Sequence, residues 1–161
     1  MNKNKYYEQL PQKRMAVGVI ILNAKNELLI VKPTYKNHWS IPGGVIDKNE
    51  SPRQACLREL KEETGLVLKN ITLLCLDYMS PKVSGYPNKE ENLQFIFYGG
   101  IIDGKTIAKI KLPKKELSEH RFVSKNKALK LVSDRLAKRL PNCFKALRKK
   151  QMYYLEGGKK M

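Results

Sequence analysis

Two apolar runs near the start of the chain predict strands that are buried on both faces. Residues 14–22 (RMAVGVIIL) and 27–31 (ELLIV) are rich in β-branched side chains, and turn-prone residues 23–26 join them. This pattern predicts a hairpin or two neighbouring strands. Because both runs are almost continuously hydrophobic, we expect helices on both sides of the sheet to which they belong.

Three later segments, residues 71–78, 92–98 and 107–112, also predict strands. In the second of these the apolar side chains alternate. A period of two divides that strand into one face with Leu93, Phe95 and Phe97 and an opposite face with Asn92, Gln94, Ile96 and Tyr98.

A helix is predicted over residues 51–64. Ser51 has the residue type of an N-cap, Pro52 suits the first helical position, and Gly65 is a typical stop. The apolar positions of this helix give it one face that can pack on the sheet.

Residues 125–132 and 134–150 predict two helices, the second of them interrupted at Pro141, which cannot donate a backbone hydrogen bond. An apolar stripe is surrounded by lysine and arginine. The pattern favours a packed helix with a solvated basic face over a helix that lies on a membrane surface.

The whole chain, residues 1–161, is predicted to form one domain, with a polar lead-in at residues 1–12 and a basic C-terminal helix and tail at residues 133–161. The three cysteines are scattered and show no CxxC spacing, which is typical of buried thiols in a reducing compartment. No apolar run reaches the roughly 18 residues of a membrane span, and the first residues lack the apolar core of a signal peptide. These features predict a cytoplasmic protein that does not enter a membrane.

The net charge of +17 is the most unusual feature of the composition. From residue 101 onward there are 18 Lys and Arg against 5 Asp and Glu. Such a field concentrates anions and attracts phosphate-rich ligands. It is compatible with RNA binding, although a general basic surface is the commoner explanation.

Three carboxylates are expected on one face of the helix at residues 51–64. Glu59, Glu62 and Glu63 stand at i, i+3 and i+4, and like charges at these spacings repel each other. A hard divalent cation would reverse that repulsion. An ordinary solvated acidic face, with Arg58 and Glu62 as a helical ion pair, is the alternative.

The spacing around these carboxylates resembles the Nudix box of the MutT-like Nudix hydrolase superfamily. The matching positions are Gly44, Glu50, Arg58, Glu59, Leu60, Glu62, Glu63, Gly65 and Leu66. The specific match covers about 24 residues. The resemblance implies an α/β fold in which a mixed β-sheet is sandwiched between helices, α/β/α, with the box helix on one face.

The resemblance also implies roles for individual residues. Mg²⁺ or Mn²⁺ would be held by the Gly43 carbonyl and by the carboxylates of Glu59, Glu62 and Glu63. The general base would be Glu59 or a glutamate outside the box, for which Glu116 is the candidate. The resemblance implies structural roles for four other positions of the box, Gly44, Glu50, Arg58 and Gly65. Glu50 and Arg58 are expected to form an ion pair that braces the loop against the helix.

Substrate contacts are expected outside the box. In Nudix-like proteins the loop at residues 79–91 varies with substrate, so Tyr86 is a candidate, together with Asn92 and Gln94 on the strand that follows. Lys32 leaves a strand toward the box, where it could hold a phosphate oxygen or simply be exposed. Trp39 is predicted to pack in the core.

The resemblance implies a hydrolase that cleaves a pyrophosphate bond by attack of water on phosphorus. The leading substrates are nucleoside diphosphates linked to another group, such as ADP-ribose, a nucleotide sugar or a dinucleoside polyphosphate. One alternative is removal of pyrophosphate from RNA 5′ ends, and another is a non-catalytic module that senses a nucleotide. A homodimer is compatible with the family.

Overall fold

The structure is a computed structural model that describes residues 3–84 and 91–161. The described strands are β1 (Arg14–Asn23), β2 (Leu28–Pro33), β3 (Thr72–Met79), β4 (Asn92–Ile102), β5 (Leu117–Val123), β6 (Tyr153–Glu156) and β7 (Lys159–Lys160). The described helices are α1 (Lys3–Glu8), α2 (Pro52–Thr64), α3 (Pro81–Ser84), α4 (Gly104–Ile107), α5 (Lys125–Leu131) and α6 (Asp134–Lys149).

The strands form one seven-stranded mixed sheet in the order β5-β2-β1-β4-β3-β6-β7. β1 runs parallel to β4, and β3 runs parallel to β6. The other neighbouring pairs are antiparallel. The two apolar runs that predicted neighbouring strands are therefore adjacent, as expected.

Each face of the sheet carries its own hydrophobic core. Ile20 and Ile96 belong to the core beneath α5 and α6, whereas Val19 and Phe97 belong to the core beneath α2. Because alternate residues of β1 and β4 enter opposite cores, the period of two predicted for residues 92–98 is confirmed. The sheet lies between helices on both faces, which confirms the α/β/α arrangement.

The segment that precedes α2 runs beside the first half of β1. The backbone N–H of Val17 donates to the Gly44 carbonyl at 2.8 Å, and the N–H of Gly44 donates back to Val17 at 3.1 Å. Val31 and Ser40 exchange a similar pair of bonds on β2. Since both strands hold this segment, the Gly43–Gly44 turn is fixed at one end of the sheet.

Helix α2 has the ends that its sequence predicts. The Ser51 side chain accepts a hydrogen bond from the N–H of Gln54, and the Gln54 side chain in turn accepts one from the N–H of Ser51. Gly65 ends the helix in the left-handed conformation, with φ 74°. Both ends of α2 are thus capped by residues next to the helix, so its start and its end are determined by its own sequence.

The strand predicted at residues 107–112 is wrong. Asp103 caps the short helix α4 instead, because its Oδ1 accepts a hydrogen bond of 2.8 Å from the N–H of Thr106. The residues after α4 are held by the N–H of Lys111, which donates to the Thr64 carbonyl at 2.9 Å. Local capping therefore outweighs the β-propensity of this segment.

The break predicted at Pro141 is also wrong, since α6 continues through it to Lys149. A proline inside a helix costs about 3 kcal/mol, because it removes one backbone hydrogen bond and its ring clashes with the preceding turn. The helix offsets this cost by burying Leu136, Leu140 and Cys143 against the sheet.

The C-terminal tail and the lead-in both contain structure that the sequence analysis did not predict. Strands β6 and β7 form a hairpin in which Tyr153 and Leu155 are buried, and its turn contains Gly157 and Gly158, both with positive φ. The lead-in holds the short helix α1. All three cysteines are buried free thiols. Within the described parts of the chain, no helix is both long and apolar enough to cross a membrane.

Candidate active site

The Arg58 guanidinium lies at the centre of the ion pairs made by α2. Its Nε and Nη2 donate to the two oxygens of Glu50 at 2.8 and 2.9 Å, so the bracing pair is present. Its Nη1 donates to Glu59 at 2.8 Å and to Glu62 at 3.1 Å. The two bonds from Arg58 to Glu50 favour the ionised carboxylate, and they lower the pKa of Glu50 to about 2.

Glu63 lies on the inner side of the box helix, where it contacts the loop at residues 43–44. The backbone N–H of Gly43 donates to Glu63 Oε2 at 2.8 Å. Burial, together with the charges of Glu59 and Glu116, raises the pKa of the Glu63 carboxyl to about 7, although the Gly43 hydrogen bond acts in the opposite direction. Glu63 therefore titrates near neutral pH.

Glu59 is partly buried beside Gly44. Burial raises the pKa of its carboxyl, although the bond from Arg58 opposes that shift. A Cβ atom added to Gly44 would lie 2.3 Å from Glu59 Oε1. The absence of a side chain at residue 44 is thus what leaves room for this carboxylate. Glu62, in contrast, is largely exposed, with 59% of its side chain accessible.

Glu116 immediately precedes β5, and its charge raises the pKa values of Glu63 and Tyr35. Burial raises the pKa of the Tyr35 phenol, and the charges of Glu63, Glu116 and Glu59 raise it further. The carbonyl of Glu116 accepts a hydrogen bond of 2.8 Å from the N–H of Thr34. This contact ties the loop that carries Tyr35 to the segment that carries Glu116.

The oxygen donors of this cluster suit a divalent cation. Glu59 and Glu63 are carboxylates whose pKa values burial raises, so a cation would stabilise their ionised forms. Oxygen-only donor sets are those preferred by Mg²⁺ and Mn²⁺. In the described residues no three His, Cys, Asp or Glu side chains already converge on one point. Arg58 holds Glu59 and Glu62, and a bound cation would take over this charge compensation.

A cavity of about 250 Å³ opens beside the Gly43–Gly44 turn, on the α6 side of the sheet. Asn92 and Gln94 line it, and the Gln94 amide donates to Asn92 Oδ1 at 2.9 Å. Its cationic lining side chains are Arg14, Lys36, Arg135 and Arg139. The cavity is therefore suited to an anionic group that lies next to the acidic cluster.

One of the predicted substrate contacts, Lys32, is not part of this cavity. Its Nζ donates to the Lys36 carbonyl at 2.8 Å. Lys32 thus holds the loop after β2 in place. Tyr86 lies outside the described residues. Trp39, as predicted, is core, with 7% of its surface exposed.

Several lining residues were not predicted from the sequence. Arg135 and Arg139 enter the cavity from the first turns of α6, and Lys36 and His38 enter it from the loop after β2. The pKa of His38 is lowered by burial and by the nearby Lys36 and Lys32. The helical spacing of Arg135 and Arg139 places them on one face, but nothing local in the sequence shows that this face meets the box.

A family model for the NUDIX domain matches residues 12–145. The chain belongs to the Nudix family. Two similar curated proteins are named RNA pyrophosphohydrolase. The one from Hydrogenovibrio crunogenus is 43% identical over 61 residues, which are 38% of this chain and 37% of that protein. The one from Haemophilus influenzae strain PittEE is 46% identical over 61 residues, 38% of this chain and 31% of that protein. The chain thus spans about a third of the length of these two relatives.

Solved structures share the fold of this Nudix chain. The MutT protein from Methanosarcina mazei Go1 superimposes with a TM-score of 0.67 at 21% identity, covering 87% of this chain and 96% of that one. At this level of identity the similarity extends to the fold alone. It agrees with the mixed sheet and the two helical layers described above.

Proposed function

We propose that this Nudix protein is a divalent-metal-dependent hydrolase that cleaves a pyrophosphate bond of a nucleotide-containing substrate by attack of water on phosphorus. The observation that carries the proposal is the partly buried Glu63 carboxyl, which the Gly43 N–H holds in place and whose pKa is raised to about 7 by burial and by the charges of Glu59 and Glu116. Carboxylates crowded in this way would be stabilised in their ionised forms by a divalent cation, which would also supply positive charge for the substrate phosphates.

Mg²⁺ or Mn²⁺ would be held by Glu59, Glu62, Glu63 and the Gly43 carbonyl. When bound, the ion supplies charge neutralisation at phosphorus and lowers the pKa of a water molecule. The N–H of Gly43 holds Glu63 in place, and the Arg58 pairs hold Glu50 and Glu59. The chain thereby fixes the carboxylates before substrate arrives, which is the contribution that preorganised sites make to the rate.

The general base is Glu59 or Glu116. Glu59 is partly buried and bonded to Arg58, whereas Glu116 is exposed and lies near enough to Glu63 to raise its pKa. Separate Glu59→Gln and Glu116→Gln variants distinguish the two. Loss of the base removes the acidic limb of the pH–rate profile, whereas loss of a ligand mainly raises the metal concentration that is needed.

The cationic cavity is assigned to the part of the substrate that leaves. Arg14, Lys36, Arg135 and the amides of Asn92 and Gln94 line it, and Arg139 reaches it while paired with Asp77. This lining suits a phosphate-bearing group more than an apolar one. This lining supports nucleoside diphosphates linked to another moiety, such as ADP-ribose, a nucleotide sugar or a dinucleoside polyphosphate.

A second candidate substrate is the 5′ end of RNA. The net charge of +17 favours a polyanion, and both relatives described above are named RNA pyrophosphohydrolase. A 5′-triphosphate would place its pyrophosphate bond at the carboxylates while the first nucleotide occupies the cationic cavity.

The test is product release from a substrate panel with Mg²⁺ or Mn²⁺. The panel contains ADP-ribose, nucleotide sugars, dinucleoside polyphosphates, nucleoside triphosphates and 5′-triphosphorylated RNA. Wild type is compared with Glu63→Gln, and with Glu119→Gln as a control, because Glu119 is an exposed carboxylate that pairs with Arg121 on β5. Cleavage by wild type and by the control, but not by Glu63→Gln, supports the proposal. If no substrate turns over and one of them raises the melting temperature, the protein is a non-catalytic nucleotide sensor.

A further inference from the structure

A second groove lies on the α6 side of the sheet, at the end away from the box. It has a volume of about 490 Å³. Its lining residues are Leu22, Asn26, Tyr98, Lys125, Phe144, Lys145, Leu147 and Arg148. A neighbouring pocket of about 240 Å³ shares Tyr98 and Leu147 and adds Lys150. We call the surface formed by these two pockets the distal groove.

The distal groove is strongly cationic. Lys125, Lys145 and Arg148 line its larger pocket, and no carboxylate of the described residues lines either pocket. Across residues 3–84 and 91–161, none of these three cations forms an ion pair with Asp or Glu. Their charges are therefore available to an anionic ligand.

Aromatic rings lie among these cations. Phe144 and Tyr98 are both half-buried in the groove. The Lys125 Nζ stands 4.7 Å from the centre of the Phe144 ring. A positively charged groove that also carries aromatic rings is the usual surface for single-stranded nucleic acid, since the cations follow the phosphates and the rings contact the bases.

The distal groove and the active-site cavity are aligned along the same face. On the same face of β1, Gly18 lines the cavity and Leu22 lines the groove. Arg139 of the cavity and Arg148 of the groove are nine residues apart on α6, which places them on opposite sides of that helix. Nine residues of helix correspond to about 14 Å. A strand of a few nucleotides is long enough to bridge the two sites.

We propose that the distal groove binds the phosphodiester backbone of a single-stranded nucleic acid. This inference deepens the second candidate function, because RNA whose 5′ end occupies the cavity would continue across α6 into the groove. A membrane surface is disfavoured, since Phe144 and Leu147 are half-buried and do not project as an exposed apolar patch.

Fluorescence anisotropy with a single-stranded oligoribonucleotide tests the groove directly. The RNA carries a 5′-hydroxyl and a 3′ fluorophore, so it contains no pyrophosphate bond and its binding does not depend on catalysis. The groove variant is Lys145→Gln with Arg148→Gln, both at exposed positions. The matched control is Lys105→Gln with Lys109→Gln, because these exposed lysines lie in and just after α4, whose Ile107 packs on the opposite face of the sheet.

The groove variant should bind RNA about tenfold more weakly, and its salt slope should fall by about 0.7 for each lost phosphate contact. The control, with the same change in net charge, should stay within about twofold of wild type. The same comparison with single-stranded DNA of identical sequence distinguishes the two sources of phosphodiester. Loss of affinity for both, or for RNA alone, supports the groove.

Equal weakening of RNA binding in the groove variant and in the control would overturn the inference, because binding would then follow net charge alone. Binding to anionic lipid vesicles without binding to either nucleic acid would also overturn it. Cleavage of a small substrate should be unchanged in the groove variant. If the groove variant loses RNA while wild type cleaves no substrate, the groove stands and the proposed hydrolase fails.

Discussion

The backbone N–H of Gly43 donates a 2.8 Å hydrogen bond to Glu63 Oε2, and this bond joins the loop beside β1 to the buried face of helix α2. It connects residues that are 20 positions apart in sequence. The N–H favours the ionised carboxyl, whereas burial favours the protonated one, and burial prevails because the pKa of Glu63 is raised to about 7.

Glu63→Gln should therefore separate catalysis from folding. The amide oxygen of glutamine can still accept from Gly43, and the variant no longer carries a buried charge. We expect the melting temperature in the absence of metal to be equal to or above that of wild type at neutral pH, while kcat falls by about 100-fold or more. Thermal unfolding and initial rates measure the two effects. Full activity in this variant would contradict the assignment of the site.

Metal binding should depend on pH because the proton on Glu63 must leave first. With a pKa of about 7, this carboxyl is mostly protonated at about pH 6 and mostly ionised at about pH 8. The increase in melting temperature caused by Mg²⁺ should therefore be larger at about pH 8. Equal increases at both pH values would show that the cation does not compete with this proton. Glu119→Gln, on β5, is the control and should behave as wild type.

The box could be predicted from sequence because its contacts are local. The Ser51 cap, the Gly65 stop and the Arg58–Glu62 pair all lie within or beside one helix. The period of two in β4 likewise placed Asn92 and Gln94 on the correct face. The two buried strands predicted helices on both faces of the sheet, and the resemblance to the Nudix family implied the α/β/α fold.

The cationic cavity could not be predicted, since it is assembled from distant segments. Arg139 reaches it from α6 and Lys36 from the loop after β2, and no periodicity connects these positions. The C-terminal hairpin does have a sequence signal that the sequence analysis did not use. Tyr153 and Leu155 alternate with polar or exposed positions before the Gly157–Gly158 pair, which is typical of a hairpin. The strand assigned to residues 107–112 failed since the cap at Asp103 favours a helical turn.

The two glycines before the box should respond differently to alanine. A Cβ at Gly43 would lie 2.1 Å from the Val17 carbonyl, and φ is +152°, so Gly43→Ala should cost about 3 kcal/mol or more. A Cβ at Gly44 would meet the carboxylate end of Glu59, which can move. Gly44→Ala should thus lower kcat by about tenfold and stability by about 1 kcal/mol. Urea unfolding and initial rates measure both variants.

The matched control for these glycines is Gly104→Ala, since a Cβ there has no neighbour within 4 Å. It should change neither activity nor the free energy of unfolding by a measurable amount. If Gly43→Ala were as stable as this control, the close approach of the Gly43–Gly44 turn to β1 would be in doubt.

The Glu50–Arg58 pair should stabilise the protein in a defined pH range. Arg58 lowers the pKa of Glu50 from 4.5 to about 2. A carboxyl whose pKa is lower in the folded state stabilises the protein at pH values above its unfolded-state pKa. This stabilisation is lost as the pH falls through the folded-state pKa. Glu50→Gln should therefore destabilise at about pH 7, and its difference from wild type should shrink from about pH 4.5 downward. A difference that stays constant with pH would exclude this pair as the cause.

Substitution in the buried Asp77–Arg139 ion pair should lower the free energy of unfolding more than substitution in the other ion pairs described above. Arg139 Nε donates to Asp77 Oδ2 at 2.6 Å, and the exposed fractions of the two side chains are 7% and 0%. The other oxygen of Asp77 accepts from the N–H of Gly158 at 3.0 Å. One carboxylate thus fastens α6 and the C-terminal hairpin to β3.

Asp77→Asn keeps the shape of the side chain but leaves the buried Arg139 charge without compensation, so we expect a loss of about 3 kcal/mol in the free energy of unfolding. Replacing both partners, Asp77→Leu with Arg139→Met, should recover much of that loss because no buried charge remains. Urea unfolding of wild type, Asp77→Leu, Arg139→Met and the double variant measures the coupling. Losses that simply add would show that the two side chains do not stabilise each other. Because Arg139 also lines the active-site cavity, the double variant should regain stability without regaining the wild-type KM.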